Sequence, residues 1–75
     1  MIDPRSMTVT EWCDAASHTL RKFGPIPVLR AATDWQQWAA QVLQIPEIFK
    51  YTPADPRGFT SWQEWVFRFN QVVPY

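Results

Sequence analysis

Apolar residues recur at helical spacing in three stretches of the chain. Val9, Trp12, Cys13, Ala16, Leu20 and Phe23 fall at i, i+3, i+4, i+7, i+11 and i+14, which is one face of a helix. Trp35, Trp38, Ala39, Val42 and Ile45 form a second such stripe, with Gln36, Gln37, Gln41 and Gln44 covering the remaining surface. Trp62, Trp65, Val66, Phe69, Val72 and Val73 form a third. The last two stretches are copies: TDWQQWAAQVLQIP at 33–46 and TSWQEWVFRFNQVV at 60–73 share their opening and a Gln at the same offset. Thr10-Glu11-Trp12 is a fainter third version. The pattern predicts an all-α fold, with three helices over about 8–23, 34–45 and 61–73. Its Trp-rich core is formed by Trp12, Trp35, Trp38, Trp62, Trp65 and Phe69.

Start and stop signals sharpen the boundaries. Thr8 and Glu11 have capping-box spacing, as do Ser61 and Glu64, so each side chain is expected to satisfy a free N–H of the other residue. Thr33 or Asp34 caps the second helix. Glu11 and Asp14 near the start of the first helix, with Arg21 and Lys22 near its end, complement the helix dipole. Gly24 supplies the C-cap, and Pro25 and Pro27 prevent continuation. Residues 25–32 read as a stiff connection that Val28 and Leu29 pin to the core. Pro46 either ends helix two or opens a short helical turn at 46–50. Pro53, Pro56 and Gly58 make 50–59 a loop. The domain therefore spans 8–73, between an extended N-terminal arm at 1–7 and a short apolar tail at 74–75.

Composition narrows the function classes. Seventy-five residues make one domain, and at this size only about 60% of the chain's surface is buried. The single cysteine cannot form an intramolecular disulfide, and with one histidine it cannot build a structural zinc site. Five Trp, five Phe and two Tyr take the place of such staples, in the core or against a partner. Seven basic residues balance seven acidic ones, so the basic excess that nucleic-acid binding needs is missing. No apolar run approaches the roughly 18 residues of a membrane span. MIDPRS lacks the apolar segment of a signal peptide, so synthesis in the cytoplasm without secretion by that route is expected.

Catalytic chemistry is not expected. His18, four residues after Asp14, reads as half of a solvated pair on the polar side of helix one. Cys13 lies about 140° around the helix from His18, on the apolar stripe, and reads as a small core hydrophobe. The carboxylates sit at helix starts and in loops. Gly24 and Gly58 are the only glycines, so no phosphate-cradling loop exists. Neither cofactor, metal nor small-molecule substrate is implied. Pro53-Ala54-Asp55-Pro56 formally matches a PxxP ligand but reads as plain loop.

Aromatic residues off the stripes are more informative. Phe49, Tyr51 and Phe59 border or lie in the loop, where they either fold back as lids on the core or face a partner. Phe67 sits about 140° from Trp62 on the third helix, among Gln63, Glu64 and Asn70. Its counterpart in helix two is Ala40. Phe67, Phe49, Tyr51, Phe59 and the terminal Tyr75 are the expected partner-interface residues.

The cassette Asp34-Trp35-Gln36-Gln37-Trp38 and its copy Ser61-Trp62-Gln63-Glu64-Trp65 frame Pro53-Ala54-Asp55-Pro56-Arg57-Gly58-Phe59, and Phe69-Asn70-Gln71-Val72-Val73 follows. Over roughly residues 10–73 this arrangement resembles small proteins encoded in the structural gene blocks of tailed bacteriophages. The resemblance implies a minor virion component at a capsid, neck, tail or fibre junction, in several symmetric copies among other virion proteins. It brings no catalytic residues. The expectation is a non-enzymatic structural or assembly protein located in the virion. The alternative is a small phage-encoded inhibitor of a host protein using the same patch.

Overall fold

The computed structural model describes residues 3–29 and 34–75, and these are helical, with no strand among them. The elements are α1 (Val9–Leu20) with a 3-10 turn at Arg21–Phe23, α2 (Trp35–Val42), α3 (Pro46–Phe49), a 3-10 turn at Pro56–Gly58, and α4 (Trp62–Val72). At α1 the capping box closes as its spacing requires. Thr8 Oγ1 accepts from the Glu11 N–H at 3.2 Å, and Glu11 Oε1 accepts from the Thr8 N–H at 2.8 Å. Gly24 ends the following turn at φ 154°, a conformation that side chains avoid. A Cβ there would also come within 3.2 Å of Ile45 Cγ2, so the backbone favours glycine and any other residue would have to displace the Ile45 side chain slightly.

Helix α2 starts at Asp34, one of the two expected caps, whose carboxylate accepts from the Gln37 N–H at 2.9 Å; the other, Thr33, lies outside the described residues. It stops at Val42, short of the expected 45. The cause is Pro46, whose ring would clash with the carbonyl four residues back, at Val42 itself. Ile45 therefore leaves the helical stripe and caps α3 instead. Its carbonyl accepts from the Ile48 and Phe49 N–H groups at 3.0 and 2.9 Å. Pro46 thus ends one helix and begins the next. Thr52, left-handed at φ 51°, then turns the chain into the loop.

Four other expectations are corrected. Ser61 makes no side-chain capping bond to α4. Its backbone, at φ −100° and ψ 123°, differs from that of Thr8 and Asp34, which do make the bond. Residues 3–7 are not extended: they form a turn in which the Met7 N–H bonds the Pro4 carbonyl at 3.2 Å, and Pro4 is buried. Val28 does not pin its connection, being 71% exposed. Val72, at the end of the helix, faces out, and the extended Val73 that follows it is buried.

The core is aromatic. Trp12, Trp38, Trp65 and Phe69 are each at most 1% exposed. Trp12 is the hub: its ring centroid lies 5.8 Å from Trp38, 6.2 Å from Trp65 and 6.5 Å from Phe69, all edge-to-face. Trp35 and Trp62 are only half-buried and pack on this group from outside. As the first residues of α2 and α4, they have helical neighbours on one side alone.

Both copies of the cassette contain the same hydrogen bond from indole to backbone. The Trp38 indole N–H donates to the Pro27 carbonyl at 2.8 Å, and the Trp65 indole N–H donates to the Ala54 carbonyl at 2.8 Å. Each carbonyl lies 11 residues before its tryptophan. Each helix thereby holds the proline-containing segment that leads into it, and Trp38, rather than Val28, fastens the first connection. Gln36 adds a tie absent from the other copy, donating from Nε2 to the Phe59 carbonyl at 2.7 Å. Its counterpart Gln63 is exposed.

Candidate interaction surface on the last helix

Helix α4 buries Trp65, Val66 and Phe69, which leaves Gln63, Glu64, Phe67, Arg68 and Gln71 on its outer side. Phe67 is 62% exposed there, so the ring that the helical pattern leaves unexplained does face outward. It stands between two open concavities. One, of about 550 Å³, is also lined by Phe59, Ser61, Glu64 and Arg68. The other, of about 450 Å³, lies against Pro4, Gln63, Asn70 and Gln71.

Of the remaining expected interface residues, Phe59 joins Phe67 at one concavity, and the others do not line either hollow. Phe49 is 63% exposed but borders a separate groove with Ala40, Leu43 and Pro53. Tyr51 is half-buried, its ring 6.3 Å from Phe23 and its outer face under the Lys50 ammonium at 5.2 Å. Phe59 is half-buried against the core while forming one wall of the Phe67 concavity. Tyr75 folds back, with its ring 5.6 Å from Phe69 and its hydroxyl donating to Asn70 Oδ1. Tyr51, Phe59 and Tyr75 therefore serve as lids, while Phe49 and Phe67 project. Pro4 belongs to the Phe67 surface although nothing local in the sequence marks it, because its partners come from the other end of the chain.

Several charges across the molecule are paired with near neighbours in sequence. Asp3 pairs with Arg5 at 2.7 Å, Glu47 with Lys50 at 2.9 Å, and Asp55 with Arg57 at 3.1 Å, all local and exposed. Exposed pairs of this kind are screened by solvent and contribute little to stability. Hydrogen bonds from Arg5 and Arg57 hold the Asp3 and Asp55 carboxyls below the usual carboxylate range, and the Thr8 backbone N–H does the same for Glu11. Among the described residues, no three His, Cys, Asp or Glu side chains converge as a metal site would need. No described helix is long and apolar enough to cross a membrane.

Cys13, 2% exposed in the core, has its thiol pushed up to about 12 by burial. An unfolded chain ionises this thiol near 8.5. Between those values the folded state keeps a proton that the unfolded state has lost, so stability must fall as pH rises. The contribution is fully present below the unfolded value and is lost on the alkaline side. Melting curves of wild type and Cys13→Ala should diverge in slope from about pH 8 to about pH 11, with the wild type losing more. Parallel slopes would contradict a buried, protonated thiol.

No family model matches the chain, and neither the curated proteins nor the solved structures yield a match.

Proposed function

We propose that this chain is a non-enzymatic assembly protein, a minor structural component of a tailed-phage particle that binds neighbouring virion proteins through aromatic contacts. The outward Phe67 ring is the observation behind the proposal. It stands on a helix whose other large rings face inward, between two concavities, with amides and two charges of each sign around it. Protein interfaces are enriched in aromatics and Arg and depleted in other charged residues at their centres. The paired Trp-Gln-x-Trp cassette supports the phage assignment by resemblance.

Mass spectrometry of purified virions of the phage encoding the chain tests this. Detection at fixed stoichiometry to the major structural proteins is expected. Absence from virions, with co-purification of a single host protein, would instead make the chain an inhibitor using the same face. Phe67→Ala should leave stability within about 0.5 kcal/mol of wild type, as an exposed position allows, while reducing incorporation into particles. Unfolding of the isolated variant would show that the ring serves the core.

A further inference from the structure

We infer that the α4 face centred on Phe67 is where a second copy of this chain docks, antiparallel and two-fold. This rests on Phe67 being an assembly contact and names its partner. A two-fold interface must be self-complementary: whatever projects from the surface has to find its receptor on that same surface. Phe67 projects, and the concavity of about 450 Å³ at Pro4, Gln63, Asn70 and Gln71 lies directly beside it. Two copies facing each other exchange rings reciprocally, each Phe67 entering the hollow next to the other. Because ring and hollow share one face, the contact closes at two copies rather than continuing as a filament.

Charge placement fits the same arrangement. Glu64 and Arg68 are four residues apart on the outer side of α4, an order that favours an intrahelical pair, yet neither enters an ion pair found among the described residues. With the two-fold axis at Phe67, Glu64 sits three residues to one side and Arg68 of the second copy one residue to that same side. At a rise of about 1.5 Å per residue they are offset by only about 3 Å along the seam. The helical wheel places both on the same flank, and the axis generates the pair twice. On the opposite flank Gln63 meets Asn70 of the second copy, amide to amide. The rim adds Asp3 and Arg5, which already neutralise each other. The face thus carries two acids and two bases, and a second copy meets it without net repulsion.

Sedimentation equilibrium of the full chain, from about 10 μM to about 1 mM, tests this. The mass should rise with concentration from 8.8 kDa toward twice that value. Phe67→Ala should weaken association more than about tenfold, as a central aromatic contact requires, with the circular dichroism spectrum unchanged. Glu64→Arg alone and Arg68→Glu alone should each weaken it, and an equimolar mixture of the two should recover it, since each acid then faces a base. A wild type that stays monomeric throughout, a dimer that survives Phe67→Ala, or a mixture no tighter than its components would overturn the inference. Virion mass spectrometry is read independently. A monomer found in particles sinks the dimer alone, and a dimer absent from particles sinks the virion assignment alone.

Discussion

Trp12→Ala should lower stability by about 3–5 kcal/mol, the usual loss when a buried aromatic is truncated to alanine. A 75-residue domain holds only about 4–11 kcal/mol in all, at roughly 0.05–0.15 kcal/mol per residue. Trp12 lies at the centre of the aromatic group, edge-on to Trp38, Trp65 and Phe69. Removing it costs the burial of one large ring and leaves three others facing a void. Edge-to-face pairs add about 0.5–1.5 kcal/mol each beyond burial, which places this site toward the upper end of the range. Urea unfolding should show the midpoint falling by about 1–5 M, given slopes of about 1–3 kcal/mol per M. Trp62→Ala is the natural control, since that ring is only half-buried and its loss should cost clearly less. Equal losses at the two positions would deny Trp12 its central role.

Trp65→Ala carries a comparable penalty from two separable sources. The ring is 1% exposed and 4.8 Å from Phe69, so truncation again costs about 3–5 kcal/mol. The indole N–H also holds the Ala54 carbonyl, which would lose its partner at an added cost of roughly 1–3 kcal/mol. Trp65→Phe separates the two, keeping most of the packing while removing the donor. It should lose about 1–3 kcal/mol and accelerate amide hydrogen exchange in the segment around Ala54. A phenylalanine variant with wild-type stability and exchange would mean that the indole bond contributes nothing.

The parts of the fold legible in the sequence are those fixed by neighbouring residues. Thr8 and Glu11 close their box because both partners are within one turn, and Asp34 caps α2 for the same reason. The end of α2 needed one more step: the steric reach of Pro46 extends four residues back, which moves the boundary from 45 to 42. Ser61 looked equivalent to Thr8, but a hydroxyl at the right spacing need not point at the N–H groups, and spacing does not report where it points. The candidate surface was half legible. Phe67 stood out because it broke a pattern visible within its own helix. Pro4 did not, since it joins that surface only when the two ends of the chain meet. Loop aromatics were ambiguous for the same reason: whether Tyr51 or Phe49 turns inward depends on where Phe23 and the core already are.

The repeated indole bonds bear on how quickly the chain can find its fold. Each joins residues 11 apart, so both are local closures of short loops. Loops of about 10 residues close in roughly 10–100 ns. Two such encounters, at separate places along the chain, need not wait for each other. What remains is to bring Trp12 between two segments already bent toward their tryptophans. Chains rich in near-neighbour contacts fold in microseconds to milliseconds, and this one meets that condition twice.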